Sequence, residues 1–293
     1  MKHLIRLIRP QQYIKNIFVL LPLFFVGEIS NTYQLLNGFF AFVAFSLSAS
    51  AIYIFNDYND IKDDRKHPKK KNRPLASGLV KKNTALFLMI ILLITGLILM
   101  SIVSTYSLIF LLIYVFLNIL YSLKLKRVAL LDITIIASGF VLRLFTGSFA
   151  CDVALKIWIV IMTFLLALFL ALAKRRDDVL ILNKSGNKMR KSIDGYNLGL
   201  IDGSMLIMST VVIVAYLQYT TSQVIIEKFD NENLYLTTLF VIFGVMRYLQ
   251  ITFVEKNSGS PTEIIFKDKT MQINLLLWFL SFIGIIYFKQ IFL

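Results

Sequence analysis

The chain has 293 residues, of which 57% are hydrophobic and 16% charged, and its mean hydropathy is +0.73. Water-soluble domains carry roughly 25% charged residues, so this composition excludes a soluble globular fold and predicts a membrane protein. The formal net charge of +14 is suited to anionic lipids or phosphorylated small molecules. No motif predicts nucleic-acid binding, and the single cysteine, Cys151, excludes an internal disulfide bond.

Long apolar stretches recur along the whole chain. A bilayer core of roughly 30 Å requires about 20 apolar residues in a helix, and such stretches lie at residues 17–35, 38–55, 85–103, 106–123, 128–150, 154–173, 200–220, 234–254 and 272–291. The sequence therefore predicts an all-α polytopic membrane protein. We expect about nine transmembrane helices, which form a single domain over residues 1–293, with loops that cap the cytoplasmic end.

Basic residues concentrate on one side of these helices. The N-terminal segment and the loops after the second, fourth, sixth and eighth helices together hold 26 of the 31 lysines and arginines. The positive-inside rule makes this side cytoplasmic. We therefore expect a protein of the inner membrane, with its N-terminus and its active site on the cytoplasmic side and its C-terminus outside.

A cluster of acidic residues follows the second apolar stretch. Asp57, Asp60 and Asp64 stand at positions i, i+3 and i+7, which places them on one face if the helix continues. Asn56 lies at the edge of the same face. Carboxylate oxygens are the ligands that Mg²⁺ prefers, and Mg²⁺ often completes its shell with substrate phosphates. The pattern predicts a catalytic Mg²⁺ site for a diphosphate.

Cations surround this acidic cluster in the sequence. Arg65, Lys71 and Arg73 follow it directly, and such side chains bind phosphate oxygens. Pro68 and Pro74 prevent one continuous helix here, so we expect a folded loop over the site. The alternative is a solvated run of mixed charges at the membrane surface.

These residues resemble a known family. The run Asn56-Asp57-x-x-Asp60-x-x-x-Asp64 is similar to the first aspartate-rich motif of the UbiA superfamily of intramembrane prenyltransferases. The segment from Tyr121 to Asp132 resembles that superfamily's approach to its fifth helix. The resemblance covers nearly the whole chain and implies an all-α, nine-helix fold, with Asp57, Asp60 and Asp64 as metal ligands.

A second aspartate-rich motif, which this superfamily carries after its sixth helix, is not clearly present. The corresponding loop begins with Lys174, Arg175 and Arg176, and its acidic residues are Asp177, Asp178 and Asp194. Exchange of carboxylates for cations favours a substrate with more phosphate charge. Whether the three aspartates bind a second metal stays open at this point.

Three segments are similar to one branch of the superfamily, the phosphoribosyltransferases that use decaprenyl phosphate in cell-envelope biosynthesis. They are Arg9-Pro-Gln-Gln-Tyr13-Ile-Lys15-Asn16, the run from Asp64 to Gly78, and Lys174-Arg175. The resemblance implies Mg²⁺-dependent transfer of 5-phosphoribose from phosphoribosyl diphosphate to a polyprenyl phosphate. Two alternatives remain: prenyl transfer from a polyprenyl diphosphate to an aromatic acceptor, and a non-catalytic carrier of anionic lipids.

The remaining site residues follow from this hypothesis. Lys174 and Arg175 would hold the donor's 5-phosphate or the lipid phosphate, and Tyr121 and Lys124 join the expected substrate-binding set. Lys15, beside Asn16, either reaches a phosphate or extends to the membrane interface. Arg143 is expensive in lipid, so we expect it to pair with Asp132 or to contact substrate. Membrane lipids are expected neighbours, and oligomeric state is left open.

Overall fold

The computed structural model of the protein describes residues 2–66, 70–186, 191–256 and 261–292. Over these residues the chain forms α-helices and short 3₁₀ segments and no strands, so the predicted all-α class is confirmed. The α-helices are α1 (Lys2–Ile8), α2 (Leu21–Val26), α3 (Thr32–Asn59), α4 (Ile61–Lys66), α5 (Lys82–Val103), α6 (Thr105–Leu123), α7 (Leu131–Cys151), α8 (Ile157–Ser185), α9 (Leu198–Thr220), α10 (Gln223–Phe229), α11 (Thr238–Phe253), α12 (Pro261–Lys267) and α13 (Lys269–Phe292).

Eight stretches of helix in the described chain are long and apolar enough to cross a membrane. They fall in α3, α5, α6, α7, α8, α9, α11 with the short 3₁₀ turn that precedes it, and α13. The chain is therefore a multi-pass membrane protein. The predicted count of nine is not confirmed, because the first predicted span, residues 17–35, is not one helix.

That first stretch begins in the last residues of a 3₁₀ segment, Pro10–Val19, and continues through the short helix α2 into the start of α3. The sequence explains the break: Pro22 stands at the start of α2, and Gly27 ends it with a positive φ of 81°, a conformation that glycine adopts without strain. A 3₁₀ helix rises about 2.0 Å per residue, so ten residues still advance about 20 Å. A ninth crossing by this route stays a prediction.

The chain folds as two compact units. Unit 1 consists of Met1–Lys126 and Ser138–Leu155, and unit 2 consists of Arg127–Ala137 and Lys156–Leu293. Helix α7 thus contributes its first turns to unit 2 and the rest to unit 1. The prediction of a single domain over residues 1–293 stays a prediction.

Small residues determine how closely α3 and α5 pack in unit 1. A Cβ atom at Gly96 of α5 would lie 2.4 Å from Ser48 Oγ and 2.8 Å from the Ala44 carbonyl oxygen of α3. Since lipid tails are as apolar as the helices, close backbone approach of this kind drives helix association in membranes. It holds α3, which carries the acidic residues at its C-terminal end, in a fixed position against α5.

Unit 2 has its own apolar core. Buried side chains of α8, α9 and α11, among them Phe169, Met205 and Ile251, pack together with Ile193 from the loop before α9. This core places the loop between α8 and α9 next to the first turn of α7.

Candidate active site

The acidic residues lie at the junction of α3 and α4 in unit 1. Helix α3 ends at Asn59, with Asp60 as its C-terminal cap, and α4 begins one residue later. Backbone bonds continue across the junction, because the Asp60 N–H donates to the Asn56 carbonyl (3.0 Å) and the Asp64 N–H to the Asp60 carbonyl (2.8 Å). Asp57, Asp60 and Asp64, here called the acid cluster, therefore keep nearly the helical spacing on which the prediction rests.

One guanidinium joins two members of the acid cluster. Arg73 Nη1 lies 2.9 Å from Asp57 Oδ1 and 2.7 Å from Asp64 Oδ2, and both carboxylates are buried. Asp60 instead binds Lys126, whose Nζ lies 2.5 Å from its Oδ1. Asp57 and Asp64 thus share Arg73 as a partner, while Asp60 pairs with a lysine in the 3₁₀ turn that follows α6.

Arg9 is a further cation on Asp57. Its Nη2 lies 2.5 Å from Asp57 Oδ1, and its guanidinium stacks 5.3 Å from the ring centroid of Tyr53. The bond joins residues 48 positions apart, and it attaches the N-terminal segment to the end of α3. Two guanidiniums thus converge on one buried oxygen of Asp57.

Two acceptor oxygens beside these cations have no partner. Asp57 Oδ2 and Asn56 Oδ1 are buried from solvent and accept no hydrogen bond. Buried acceptors of this kind cost free energy unless a donor or a cation meets them. Among the described residues no three His, Cys, Asp or Glu side chains form a ready metal group. The all-oxygen set of Asn56, Asp57 and the neighbouring carboxylates nevertheless fits a hard divalent cation.

Burial also affects the charge of Asp64. It raises the pKa of this carboxyl above its usual value, and the Arg73 guanidinium, which lowers the pKa, opposes it. The Asp64 carboxylate is thus stabilised by the neighbouring cation.

The loop after α4 contributes its cations unequally. Arg65 Nε donates to the Ala76 carbonyl at 3.0 Å, which fixes the loop backbone. Lys71 is exposed, whereas Arg73 is half-buried against the acid cluster. The predicted folded loop exists over residues 70–80, and its turn is closed by the Val80 N–H, which donates to the Pro74 carbonyl at 3.1 Å. Pro68, one of the two prolines that predict this loop, lies outside the described residues.

The 3₁₀ segment runs alongside α3 from the acid cluster inwards. The Tyr13 and Ser50 hydroxyls are 3.0 Å apart, and the Asn16 amide donates to Ser46 Oγ at 2.9 Å. Ser46, Ser50, Tyr53 and Asp57 follow each other at helical spacing and form one face of α3, here called the α3 stripe. Lys15 therefore lies about two to three turns inward from Asp57.

Arg143 of α7 lies at the inner end of the α3 stripe. Its Nε donates to Asn16 Oδ1 at 2.9 Å and its Nη2 to the Tyr114 hydroxyl at 3.2 Å. The expected pairing of Arg143 with Asp132 is wrong. The two residues stand eleven positions apart on α7, roughly 16 Å along the axis, and Asp132 has other partners in unit 2.

The remaining predicted residues of unit 1 lie at the end of α6. Tyr121 is half-buried in its last turn, and Lys124 is the exposed residue that caps it. The side chain that reaches the acid cluster is Lys126, two residues further on. Substrate contacts of Tyr121 and Lys124 stay predictions.

In unit 2, Arg175 lies in a buried network around Asp132. Arg175 Nε donates to Asp132 Oδ2 at 2.7 Å, and Tyr196 Oη donates to Asp132 Oδ1 at 2.6 Å. Arg175 Nη1 also lies 3.2 Å from Asp178, and Ser192 Oγ donates to Asp132 at 3.0 Å. The network raises the pKa of the Tyr196 hydroxyl through burial and its bond to Asp132.

Arg176 and Lys174, the basic residues on either side of Arg175 in α8, differ in their surroundings. Arg176 Nε pairs with Asp202 at 2.8 Å, and Lys174 is exposed. Two acidic residues of this region, Asp178 and Asp202, are thus neutralised by arginines of α8. A role of Lys174 or Arg175 in phosphate binding stays a prediction, as does any metal binding by Asp177, Asp178 or Asp194.

Arg9 and Lys126 are the two site residues without a predicted role. Arg9 appears in the sequence only as part of a similar segment, and the basic N-terminus alone does not indicate its partner. Lys126 stands in the same short run as Lys124, and only the 3₁₀ turn Leu125–Arg127 decides which lysine faces Asp60.

Comparison with known proteins adds sequence relatives. A sequence profile of the UbiA prenyltransferase family matches residues 17–276. The decaprenyl-phosphate phosphoribosyltransferase of Mycolicibacterium smegmatis is 31% identical over 296 residues, which cover 98% of this chain and 93% of that protein. The decaprenyl-phosphate phosphoribosyltransferase of Corynebacterium glutamicum is 29% identical, with coverage of 99% and 88%.

A solved structure shares the fold. The UbiA homologue from Archaeoglobus fulgidus bound to DMAPP and Mg²⁺ aligns with a TM-score of 0.71 at 18% sequence identity. The alignment covers 98% of this chain and 99% of that one. Helix order and architecture are therefore those of the UbiA homologue along nearly the whole chain.

Proposed function

The chain belongs to the UbiA prenyltransferase family, and from that premise we propose that it transfers 5-phosphoribose from phosphoribosyl diphosphate to a polyprenyl phosphate. Diphosphate is the leaving group. The observation that carries this proposal is the corner around Asp57, where two unpartnered acceptor oxygens lie beside Arg9 and Arg73. The acceptors suit a divalent cation and the guanidiniums suit phosphate oxygens, so one corner can hold a metal diphosphate.

The residues that would hold Mg²⁺ are Asp57, with Asn56, Asp60 and Asp64 around it. Mg²⁺ binds one or two carboxylates and leaves its other positions to phosphates and water, which agrees with a cluster in which one oxygen of each carboxylate already binds a cation. The Archaeoglobus fulgidus homologue is bound to Mg²⁺, in support of this choice. Bound there, the ion would neutralise charge on the departing diphosphate.

The chain's own groups would act by position and charge. Arg73 and Arg9 bind oxygens of the diphosphate, and Lys126 adds a charge at Asp60. An oxygen of the lipid phosphate attacks C1 of the ribose as the bond from C1 to the diphosphate oxygen breaks, and the diphosphate keeps the bonding electrons. The attacking phosphate is already an anion, so the step requires no general base. Preorganised charge and orientation supply the rate enhancement.

The choice of phosphoribosyl over prenyl transfer is supported by the relatives and by the distribution of charge. Relatives that align over nearly the whole chain include two decaprenyl-phosphate phosphoribosyltransferases. In unit 2, Asp178, one of the three candidate ligands for a second metal, already lies 3.2 Å from Arg175 Nη1. The proposed substrate pair carries four phosphate groups, three on the donor and one on the lipid, so it needs more cations than a single prenyl diphosphate does.

The proposed site faces the cytoplasm. The acid cluster lies at the end of α3 that precedes the most basic loop, and basic loops remain on the cytoplasmic side. Phosphoribosyl diphosphate is highly charged and water-soluble, so the donor would reach the site from the aqueous side. We propose the inner membrane as its location for the same reason.

Transfer can be tested with purified protein in detergent. The assay contains Mg²⁺, a polyprenyl phosphate and phosphoribosyl diphosphate labelled in the ribose, and label is followed into the organic phase. We expect metal-dependent transfer that EDTA removes and that Asp57→Asn lowers by at least about a hundredfold. Asp63→Asn is the matched control, because Asp63 is exposed and lies in α4 beside the cluster. Failure of the wild-type protein to transfer label would refute the proposal.

A further inference from the structure

Arg143 is a buried cation without a carboxylate. It is 4% exposed, and its hydrogen-bond partners are neutral: the Asn16 amide oxygen, the Gly139 carbonyl at 2.7 Å and the Tyr114 hydroxyl. No carboxylate of the described chain lies within ion-pairing distance. Its charge is therefore solvated by dipoles alone.

Aromatic rings complete the surroundings of this guanidinium. The ring centroids of Phe45 and Tyr114 lie 4.8 Å from its central carbon, and that of Phe140 lies 5.2 Å away. Rings attract a cation through their faces, but they add no negative charge. The guanidinium is thus held firmly in one position while its charge stays uncompensated.

The other two arginines that the described chain buries behave differently. Arg175 pairs with Asp132, and Arg176 pairs with Asp202. Burial of an unpaired charge costs several kcal/mol, and an ionisable group within a membrane span indicates a functional site by default. The unpaired charge of Arg143 therefore indicates that a bound ligand supplies the anion, since the described residues do not.

Lys15 is a second such cation in the same region. In the parts of the chain that the structure describes, its ammonium has no hydrogen-bond or ion-pair partner. Lys15 directly precedes Asn16, whose side-chain oxygen accepts from Arg143, and it follows Tyr13, which contacts Ser50 of α3, so the backbone places Lys15 near Arg143. Arg9 already binds Asp57, whereas neither Lys15 nor Arg143 pairs with a carboxylate of the described residues.

We propose that Lys15 and Arg143 form the subsite for the phosphate of the lipid acceptor. Lys15 would contact the phosphate directly, and the fixed positive charge of Arg143 would attract the phosphate to this place. This rests on the proposed function, and it assigns one of that reaction's two substrates to a place. A phosphate monoester carries about −1.5 to −2 charges at neutral pH, which matches two uncompensated cations.

Depth in the membrane favours the lipid over the donor's 5-phosphate. The α3 stripe places Lys15 about two to three helical turns inward from Asp57, level with spanning parts of α3 and α7. Phe45 and Phe140 line this level, so an attached polyprenyl chain stays among apolar groups. Phosphoribosyl diphosphate is polar throughout, so we place it at the end of the stripe that carries Asp57.

Chemical labelling of Lys15 in the wild-type protein tests the subsite without any variant. The amine is acetylated briefly at pH 8 with an N-hydroxysuccinimide ester, and the peptide that carries Lys15 is quantified by mass spectrometry. The probes are farnesyl phosphate, farnesol and ribose 5-phosphate, and exposed Lys81 is the internal control. At ten times its dissociation constant, farnesyl phosphate should lower Lys15 labelling about tenfold and leave Lys81 unchanged.

Other patterns of protection would overturn the assignment. Equal protection by farnesol would mean that an apolar chain covers Lys15 without recognition of charge. Protection by ribose 5-phosphate and not by farnesyl phosphate would give the subsite to the donor. Protection by none of the three probes would show that no monoester phosphate binds there.

Kinetics separate failure of this assignment from failure of the proposed function. We expect Lys15→Met to raise the KM for polyprenyl phosphate about tenfold or more without a change in the KM for phosphoribosyl diphosphate, and Lys15→Arg to restore most of the loss. A higher KM for the donor alone would refute the subsite and leave the reaction intact. A wild-type protein that makes no product would refute the reaction itself.

Discussion

Replacement of Gly147 by alanine probes the contact on which the position of Lys15 depends. Gly147 of α7 faces the backbone of the 3₁₀ segment, and an added Cβ would lie 1.7 Å from the Val19 carbonyl oxygen and 2.6 Å from its carbonyl carbon. Ordinary van der Waals contact begins at 3.4 Å. The Val19 backbone would therefore have to retreat by about 1.7 Å, and no side-chain rotation can relieve the clash.

The expected loss of stability follows from that displacement. Overpacking costs about 1–3 kcal/mol, and we expect the upper end because the obstructing atoms belong to the backbone. At about 2–4 °C per kcal/mol for a chain of this size, the melting temperature should fall by about 6–12 °C. Thermal unfolding in detergent, followed by circular dichroism, measures this change.

A matched glycine gives the control. A Cβ at Gly203, within α9, meets no atom within 4 Å, so Gly203→Ala should leave the melting temperature unchanged or raise it, since alanine favours a helix over glycine by up to about 1 kcal/mol. If Gly147→Ala has the melting temperature of the wild type, the close contact of α7 with the 3₁₀ segment is wrong. The inferred place of Lys15 beside Arg143 then loses its support.

Three further predictions concern charge and hydrogen bonding. Arg73→Gln removes the cation that joins two buried carboxylates; Asp57 keeps Arg9, so the loss falls mainly on Asp64 and should cost about 1–3 kcal/mol of stability. Millimolar Mg²⁺ should recover part of the melting temperature, and full wild-type stability would contradict the bridging role. Tyr196→Phe removes the hydroxyl that donates to Asp132, so it should cost about 1.5–3 kcal/mol in thermal unfolding, whereas the same change at exposed Tyr235 should cost almost nothing. Lys15 binds an anion only in its protonated form, so the acceptor KM should rise as the pH increases through the alkaline range, by up to about tenfold per pH unit; Lys15→Arg should flatten that rise, and an unchanged rise in this variant would assign the titration to another group.

Much of the fold can be predicted from local sequence, because hydropathy over a bilayer's thickness is a local property. The stretches from residue 38 onward all contain a spanning helix. The first stretch fails for an equally local reason that hydropathy ignores, since Pro10, Pro22 and Gly27 break the helix while the residues between remain apolar.

The acid cluster was also predictable, because helical spacing alone brings Asp57 and Asp64 near each other. Its cations were less so. Arg73 is close in sequence, but the contact of Arg9 with Asp57 joins residues 48 positions apart, and Lys126 reaches Asp60 across 66. Such contacts depend on how helices pack, which no single stretch of sequence encodes.

Arg143 shows the same limit in a different form. Its position in a membrane span predicts a buried, functional cation, and the structure confirms the burial. The nearest acidic residue in its helix suggested a partner, yet Asp132 binds Arg175 in unit 2. Sequence proximity within one helix is a poor guide to pairing when the two residues lie about three turns apart.

The most direct test of the central claim is identification of the product lipid. Wild-type protein receives phosphoribosyl diphosphate, farnesyl diphosphate, a polyprenyl phosphate and a hydroxybenzoate together with Mg²⁺, and the organic phase is analysed by mass spectrometry. We predict a polyprenyl phosphodiester that carries ribose 5-phosphate. A prenylated hydroxybenzoate, with no phosphoribosylated lipid, would contradict the proposed function and assign the chain to aromatic prenyl transfer.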